Sequence, residues 1–236
     1  MNIKAILFDL DGTLLPMDQR TFENTYMKML AAYLAPHGYE PESLIAAVWK
    51  GTGAMLKNDG SRTNEAAFWD TFAGILGEGV RADIPKFDAF YRTDFNKVQA
   101  VAAQNPAASA LVKRIRQEGI PVALATNPVF PAIATEARMR WAGLDAADFA
   151  LYTTYETSRC CKPNPRYYRD VAATLGVRPE DCLMVGNDVI DDMSAAEVGM
   201  QVFLLTDHLV NPKDADIAAY PHGGFDALAA YLDSIL

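Results

Sequence analysis

From Pro106 to the C-terminus, short apolar runs alternate with amphipathic segments, and this alternation limits the possible fold more than any other feature. The apolar runs are predicted strands at 121–126, 150–154, 182–186 and 201–206. Helices are predicted around them at 107–118, 131–142, 164–175, 190–198 and 224–235. Short apolar strands that each lead to a helix are typical of an open parallel sheet covered on both faces. We therefore predict a doubly wound α/β fold.

One further strand stands apart near the N-terminus. Residues 3–8 form a short apolar run that stops at Asp9, as expected for a buried parallel strand. The segment that follows is helical in pattern, with helices predicted at 19–36, 41–57, 64–76 and 86–102. A helical block that interrupts a strand–helix series indicates an inserted domain. We predict a core of residues 1–16 and 104–236 and an inserted helical domain of residues 17–103.

Composition argues against several classes of function. The 236 residues carry 21 basic and 30 acidic side chains, so partners that need a basic surface, nucleic acids and anionic membranes, are not expected. No apolar stretch approaches the roughly 18 residues of a membrane span, and the first apolar run is too short for a signal peptide. The three cysteines, Cys160, Cys161 and Cys182, do not suit a disulfide framework. Their number is odd, and the first two are adjacent in the sequence. We expect a cytoplasmic protein, and the sequence leaves its oligomeric state open.

Polar residues follow the predicted strands, at the edge where doubly wound sheets bind ligands. Asp9 and Asp11 follow the first strand, and later strands are followed by Thr126, Asn127, Lys162 and the acidic segment 187–192. Taken singly, each has a simpler explanation as a turn residue, a solvated lysine or an acidic helix start. Taken together, carboxylates suit Mg²⁺, and Mg²⁺ with a lysine and neutral donors suits a phosphoryl group.

The order of these groups resembles the motifs of the haloacid dehalogenase superfamily of hydrolases. The resemblance lies in residues 8–14 (FDLDGTL), 125–127 (ATN), 161–165 (CKPNP) and 185–192 (VGNDVIDD). The helical insert lies where this family places its cap, between the first and second motifs. The resemblance implies a Rossmann-like core, a helical cap and membership of the phosphatase branch.

The resemblance also implies a role for each residue. Asp9 would be the nucleophile that forms a phosphoaspartate, and Asp11 would be the general acid and base. Mg²⁺ would be held by Asp9, by Asp188 and by the main-chain carbonyl of Asp11. The catalytic lysine would be Lys162. The phosphoryl oxygens would be bound by Thr126, Asn127 and Lys162.

The fourth motif departs from the pattern of many family members. Asn187 separates the motif glycine from Asp188, whereas many members have Gly-Asp directly. Asp188 is the expected metal carboxylate, with Asp192 in support. The alternatives are Asn187 as a neutral ligand and Asp191 in place of Asp192.

The acid at position 11 favours phosphate esters over halides, because a halide leaves without a proton and the dehalogenase branch lacks this acid. We expect a phosphatase of small phosphorylated metabolites; the alternatives are a phosphomutase and a non-catalytic phosphate-binding module. In the insert, one hypothesis is that Lys57 or Arg62 faces the substrate, although an exposed loop is the simpler explanation. The tryptophans are predicted to be core residues: Trp49, Trp69 and Trp141.

Overall fold

The structure, a computed structural model, describes residues 3–236. Met1 and Asn2, the first two residues of the predicted core, lie outside the described part. The described chain forms six parallel strands: β1 (Ala5–Phe8), β2 (Val122–Leu124), β3 (Leu151–Tyr152), β4 (Cys182–Gly186), β5 (Gln201–Leu205) and β6 (His222–Gly223). Their order in the sheet is β3-β2-β1-β4-β5-β6, a doubly wound topology.

Eight α-helices accompany the sheet in the described chain. Four lie between β1 and β2 before the core resumes: α1 (Gln19–Leu34), α2 (Pro41–Leu56), α3 (Asn64–Leu76) and α4 (Ile84–Arg92). The other four are α5 (Pro106–Gln117), α6 (Ala132–Trp141), α7 (Pro165–Leu175) and α8 (Phe225–Ile235). Side chains cap several helix starts, as Asp18 does for α1, Thr63 for α3 and Asn164 for α7.

Both faces of the sheet are buried, which confirms the predicted α/β class. Successive side chains of a strand point to opposite faces. Ile6 and Phe8 belong to a buried cluster that also contains residues of α1 to α6 and α8. Ala5 and Leu7 belong to a second cluster that contains residues of α7. The apolar runs in the sequence reflect this burial on two sides.

The two ends of the helical insert meet beside the core. Met17 forms an antiparallel bridge with Ala102, and the N–H of Ala103 donates to the carbonyl of Pro16 over 2.8 Å. A chain segment that leaves the core and returns to it at the same place can fold as a separate domain. These contacts support the division into a core of 1–16 and 104–236 and a cap of 17–103, which stays a prediction.

Two predicted helices differ from the structure. The helix predicted at 86–102 ends at Arg92 and is followed by a 3₁₀ helix, Asp94–Val101. The hydroxyl of Thr93 and the amide of Asn96 donate to main-chain carbonyls of the preceding turn, which competes with regular helix. The helix predicted at 190–198 is a 3₁₀ helix, Met193–Val198, because the Asp188 carboxylate accepts the N–H groups of residues 190 and 191 and forms a turn.

Other predicted elements agree with the structure to within a few residues at each end. The two-residue edge strand β6 was not predicted, since so short a segment carries no periodic pattern. In the described residues, no helix has the length and apolar character needed to cross a membrane. The three cysteines are free and buried.

Candidate active site

The loop after β1 carries the first two candidate carboxylates. The N–H of Asp9 donates to Val185 of β4 over 2.9 Å, so sheet pairing fixes the main chain where the strand ends. Gly12 closes the loop with φ = 83°, and a Cβ there would lie 2.3 Å from Nδ2 of Asn187. Only glycine satisfies both the backbone angle and this contact.

Lys162 is the centre of a buried ion network. Its ammonium donates to Oδ1 of Asp9 over 2.9 Å and to Oδ1 of Asp192 over 2.6 Å. Burial alone lowers the pKa of Lys162, but the carboxylates of Asp192 and Asp9 outweigh burial and raise this pKa well above its ordinary value. The lysine is therefore a fixed positive charge beside the candidate nucleophile.

Asp11 forms a second ion pair, with Arg138 of α6. The guanidinium donates to Oδ2 of Asp11, while Oδ1 is buried and has no hydrogen-bond partner. Arg138 is 1% exposed and lies 4.3 Å from the ring centroid of Phe130. Burial raises the pKa of Asp11, although the Arg138 charge opposes this rise. A carboxyl group with a raised pKa suits proton transfer.

Thr126 and Asn127 lie where β2 ends. Asn127 bridges two neighbours, since its Nδ2 donates to Asp191 over 2.9 Å and its Oδ1 accepts the main-chain N–H of Lys162 over 3.2 Å. The main-chain carbonyl of Thr126 accepts the hydroxyls of Thr153 and Tyr167. The Thr126 hydroxyl makes no hydrogen bond with the described residues, so it is available to a ligand.

The polar residues of the segment after β4 have different hydrogen-bond partners. Asp192 accepts both Lys162 and the main-chain N–H of Asp188, the latter over 2.9 Å. Asn187 accepts the hydroxyl of Thr13 and donates to the carbonyl of His208, so its amide joins two loops. A Cβ on Gly186 would lie 2.1 Å from Asp192, which explains the glycine. Both polar atoms of Asn187 are thus bonded, whereas Oδ2 of Asp188 accepts no hydrogen bond from the described residues.

All of these candidates line one cavity. We call it the strand-end cavity. It encloses about 930 Å³, including its open mouth. The sequence-predicted residues on its wall are Asp9, Asp11, Thr126, Asn127, Lys162, Asn187, Asp188, Asp191 and Asp192. The segments that follow β1, β2, β3 and β4 therefore meet at one place, as expected for the doubly wound topology.

Asp9 and Asp188 each keep a carboxylate oxygen that accepts no hydrogen bond from the described residues, as do Asp11 and Asp191. Asp9 uses Oδ1 for Lys162, and Asp188 uses Oδ1 for two main-chain N–H groups. Within residues 3–236, no cluster of three or more His, Cys, Asp or Glu side chains has the arrangement of a metal site. Two carboxylates still suit Mg²⁺, because this ion usually keeps several water ligands.

Sequence reasoning missed Arg138 and misjudged Trp49. Arg138 lies in the middle of a predicted helix that also carries Glu136 and Arg140, so the helical pattern does not single it out. Lys57 and Arg62 do not line the strand-end cavity, and Arg62 instead pairs with Asp70 over 2.6 Å. Trp69 and Trp141 are buried as predicted, but the prediction for Trp49 is wrong, because it is 45% exposed and lines the cavity.

Comparison with known proteins identifies the family. Residues 3–199 match the model of the haloacid dehalogenase-like hydrolases. The chain belongs to this family. The predicted resemblance and the prediction of a hydrolase are thereby confirmed.

Curated relatives of this haloacid dehalogenase-like hydrolase are named as phosphatases. Hexitol phosphatase A of Escherichia coli is 28% identical over 216 residues, which cover 90% of this chain and 88% of that protein. A phosphoglycolate phosphatase of Rhodobacter capsulatus is 26% identical over 234 residues, 97% of this chain and 96% of that protein.

Solved structures share the fold. A HAD phosphatase from Thermococcus onnurineus matches with a TM-score of 0.61 at 18% identity, covering 98% of each chain. CbbY from Rhodobacter sphaeroides, solved in complex with phosphate, matches with a TM-score of 0.56 at 21% identity, covering 96% of this chain and 99% of that one.

Proposed function

We propose that this hydrolase is a Mg²⁺-dependent phosphatase of small phosphate monoesters that works through a phosphoaspartate on Asp9. One observation carries the proposal: the carboxylate of Asp9, fixed by Lys162, shares a cavity with Asp11, whose Oδ1 has no partner. The first is placed to attack phosphorus and the second to handle a proton. The names of the curated phosphatase relatives support the same reaction class.

The first step forms the phosphoaspartate. An oxygen of Asp9 attacks phosphorus, the bond from phosphorus to the ester oxygen breaks, and the departing oxygen takes the proton of Asp11. A carboxylate attacks as an anion and needs no general base, and Lys162 holds the orientation of Asp9. Thr126 and Asn127 offer a hydroxyl and an amide to the equatorial oxygens of the phosphoryl group.

The second step restores the enzyme. Water attacks phosphorus of the phosphoaspartate and gives its proton to Asp11, and inorganic phosphate leaves Asp9 as a free carboxylate. Arg138 stays bonded to Oδ2 of Asp11 and directs the proton to Oδ1. Asp9, Asp188 and the main-chain carbonyl of Asp11 would hold Mg²⁺, whose charge would offset the repulsion between the nucleophile and the anionic phosphoryl group.

Phosphate release from 4-nitrophenyl phosphate tests this function. We expect turnover with Mg²⁺, loss of turnover with EDTA, and severe slowing in Asp11→Asn with Mg²⁺ binding retained, since only the main chain of residue 11 would contact the ion. A folded protein that releases no phosphate from a panel of monoesters contradicts the proposal. So does a requirement for a sugar bisphosphate with transfer to a second hydroxyl, which is the behaviour of a mutase.

A further inference from the structure

A second cavity lies between the cap and the core, next to the strand-end cavity. We call it the aromatic cap pocket; it encloses about 750 Å³, including its mouth. Eight of its sixteen lining residues are aromatic, among them Tyr26, Trp49, Trp69, Tyr91 and Tyr155. Such a wall is suited to an apolar group of aromatic size.

The two cavities share part of their walls. Glu23, Trp49, Thr52, Val129 and Phe130 line both. The two cavities therefore adjoin, and an ester whose phosphorus lies beside Asp9 would extend its leaving group toward the aromatic cap pocket. The residues of this pocket have no part in the proposed bond-breaking steps, which leaves them free to select the leaving group.

The charge of the aromatic cap pocket is negative. Among the described residues, two carboxylates line it, those of Glu23 and Asp88. No lysine, arginine or histidine of the described chain lines it. Asp88 makes no hydrogen bond or ion pair with the described residues. In the adjoining cavity, Lys162 and Arg138 are already paired with aspartates. An anionic leaving group would meet carboxylates and no free cation.

Three tyrosine hydroxyl groups also line the aromatic cap pocket. Those of Tyr26 and Tyr91 lie 2.7 Å apart, so one donates to the other and one hydrogen is left over. Tyr155 accepts the Trp69 indole N–H over 3.4 Å and keeps its own hydrogen. Burial raises the pKa of Tyr26 to about 12, so this phenol stays neutral. These groups can orient a neutral oxygen but cannot neutralise an anion.

We propose that the aromatic cap pocket holds the leaving group of the substrate, and that this group is an apolar, aromatic-sized body without an anionic substituent. The inference rests on the proposed phosphatase function and narrows its substrate class. It separates this chain from any phosphatase whose substrate carries a carboxylate or a second phosphate.

Three matched esters test the charge preference: 3-phenylpropyl phosphate and its para-carboxylate and para-aminomethyl derivatives. The substituents are remote from phosphorus, so intrinsic reactivity is nearly equal. We expect kcat/KM for the carboxylate ester to be at least about tenfold below that for the neutral ester, because its charge meets two carboxylates. The ammonium ester should equal or exceed the neutral one. Equal or faster hydrolysis of the carboxylate ester, or an ammonium ester slower than the neutral one, overturns the inference.

Variants locate the effect in the pocket. Trp49→Ala should raise KM for 3-phenylpropyl phosphate about five- to tenfold, and the matched control Ile75→Ala, which removes another exposed apolar side chain of a cap helix, should leave it unchanged. Asp88→Lys should shift the neutral-to-carboxylate preference toward the carboxylate ester, with Asp88→Asn intermediate. Hydrolysis of all three esters with no response to these variants overturns the pocket assignment and leaves the phosphatase function standing. No hydrolysis of any ester by folded protein contradicts the phosphatase function itself.

Discussion

The strand-end cavity and the aromatic cap pocket share a wall but are built on opposite principles. In the strand-end cavity both cations are buried and bonded to aspartates, Lys162 to Asp9 and Asp192, and Arg138 to Asp11. In the aromatic cap pocket the wall is largely aromatic, and the carboxylate of Asp88 has no partner among the described residues. Fixed charges suit chemistry that is the same for every ester, whereas an apolar wall suits selection among leaving groups. Changes in the first cavity should therefore affect kcat, and changes in the second should affect KM.

The largest expected effect comes from the candidate nucleophile. Asp9→Asn keeps the shape of the side chain and removes the attacking charge, so turnover of 4-nitrophenyl phosphate should fall by at least about 10⁴-fold. The matched control is Asp170→Asn, an exposed aspartate of α7 paired with Arg166, which should retain full activity. Near-native turnover by Asp9→Asn would remove the strand-end cavity from its catalytic role and end the contrast between the two regions.

Lys162→Met is expected to reduce both activity and stability. The substitution leaves Asp9 and Asp192 buried without their cation, which should lower the free energy of unfolding by about 3–5 kcal/mol. Activity should fall by at least about 10³-fold through loss of the positive charge at the nucleophile. Urea denaturation and initial rates measure the two effects.

A double variant separates these two effects. Lys162→Met/Asp192→Asn removes one unpaired carboxylate and should recover part of the stability but none of the activity. If activity returns together with stability, the lysine is structural only.

Arg138→Met should have a smaller effect, confined to proton transfer. Loss of the partner of Asp11 should lower kcat for an alkyl phosphate about 10- to 100-fold with little change in KM. The loss should be smaller for 4-nitrophenyl phosphate, because nitrophenolate leaves without a proton, and Arg138→Lys should recover part of the rate. An equal loss for both esters would show that Arg138 does not position the acid that protonates the leaving group.

The sequence predicts the sheet well because its strands are buried on both faces and read as apolar runs. It also predicts the meeting of Asp9, Thr126, Lys162 and Asp188, because the carboxyl ends of parallel strands lie at one edge. The break after Arg92 was not predicted, since it depends on side chains of Thr93 and Asn96 that bond to the main chain only once the turn exists. The spacing of apolar residues indicates which positions are buried. It does not show where side chains compete with the helix for main-chain carbonyls.

The pairing of Arg138 and the exposure of Trp49 illustrate a second limit. The pattern of a helix shows which face is apolar, but not that one arginine of α6 reaches a loop after β1 more than a hundred positions earlier. Aromatic residues spaced as in a helix are typical of core, and Trp69 and Trp141 follow that expectation. Trp49 lines a cavity, because the way the cap helices pack together decides which side of α2 stays open. Such choices depend on tertiary packing, which a single sequence does not encode locally.

The smallest expected effect lies outside both cavities and shows what an ordinary surface ion pair contributes. Asp181 accepts Lys4 over 2.9 Å and Arg178 over 3.1 Å, and these bonds lower its pKa from 3.8 to about 2. A lowered carboxyl pKa stabilises the fold above pH 3.8, and this contribution is lost as the pH falls toward about 2. The melting temperature of Asp181→Asn should therefore lie slightly below that of wild type at pH 6 and approach it at pH 2, while Glu197→Gln, an exposed control, should show no such convergence. A gap that stays constant with pH would mean that these bonds do not depend on the charge of Asp181, in contrast to the buried pairs of the strand-end cavity.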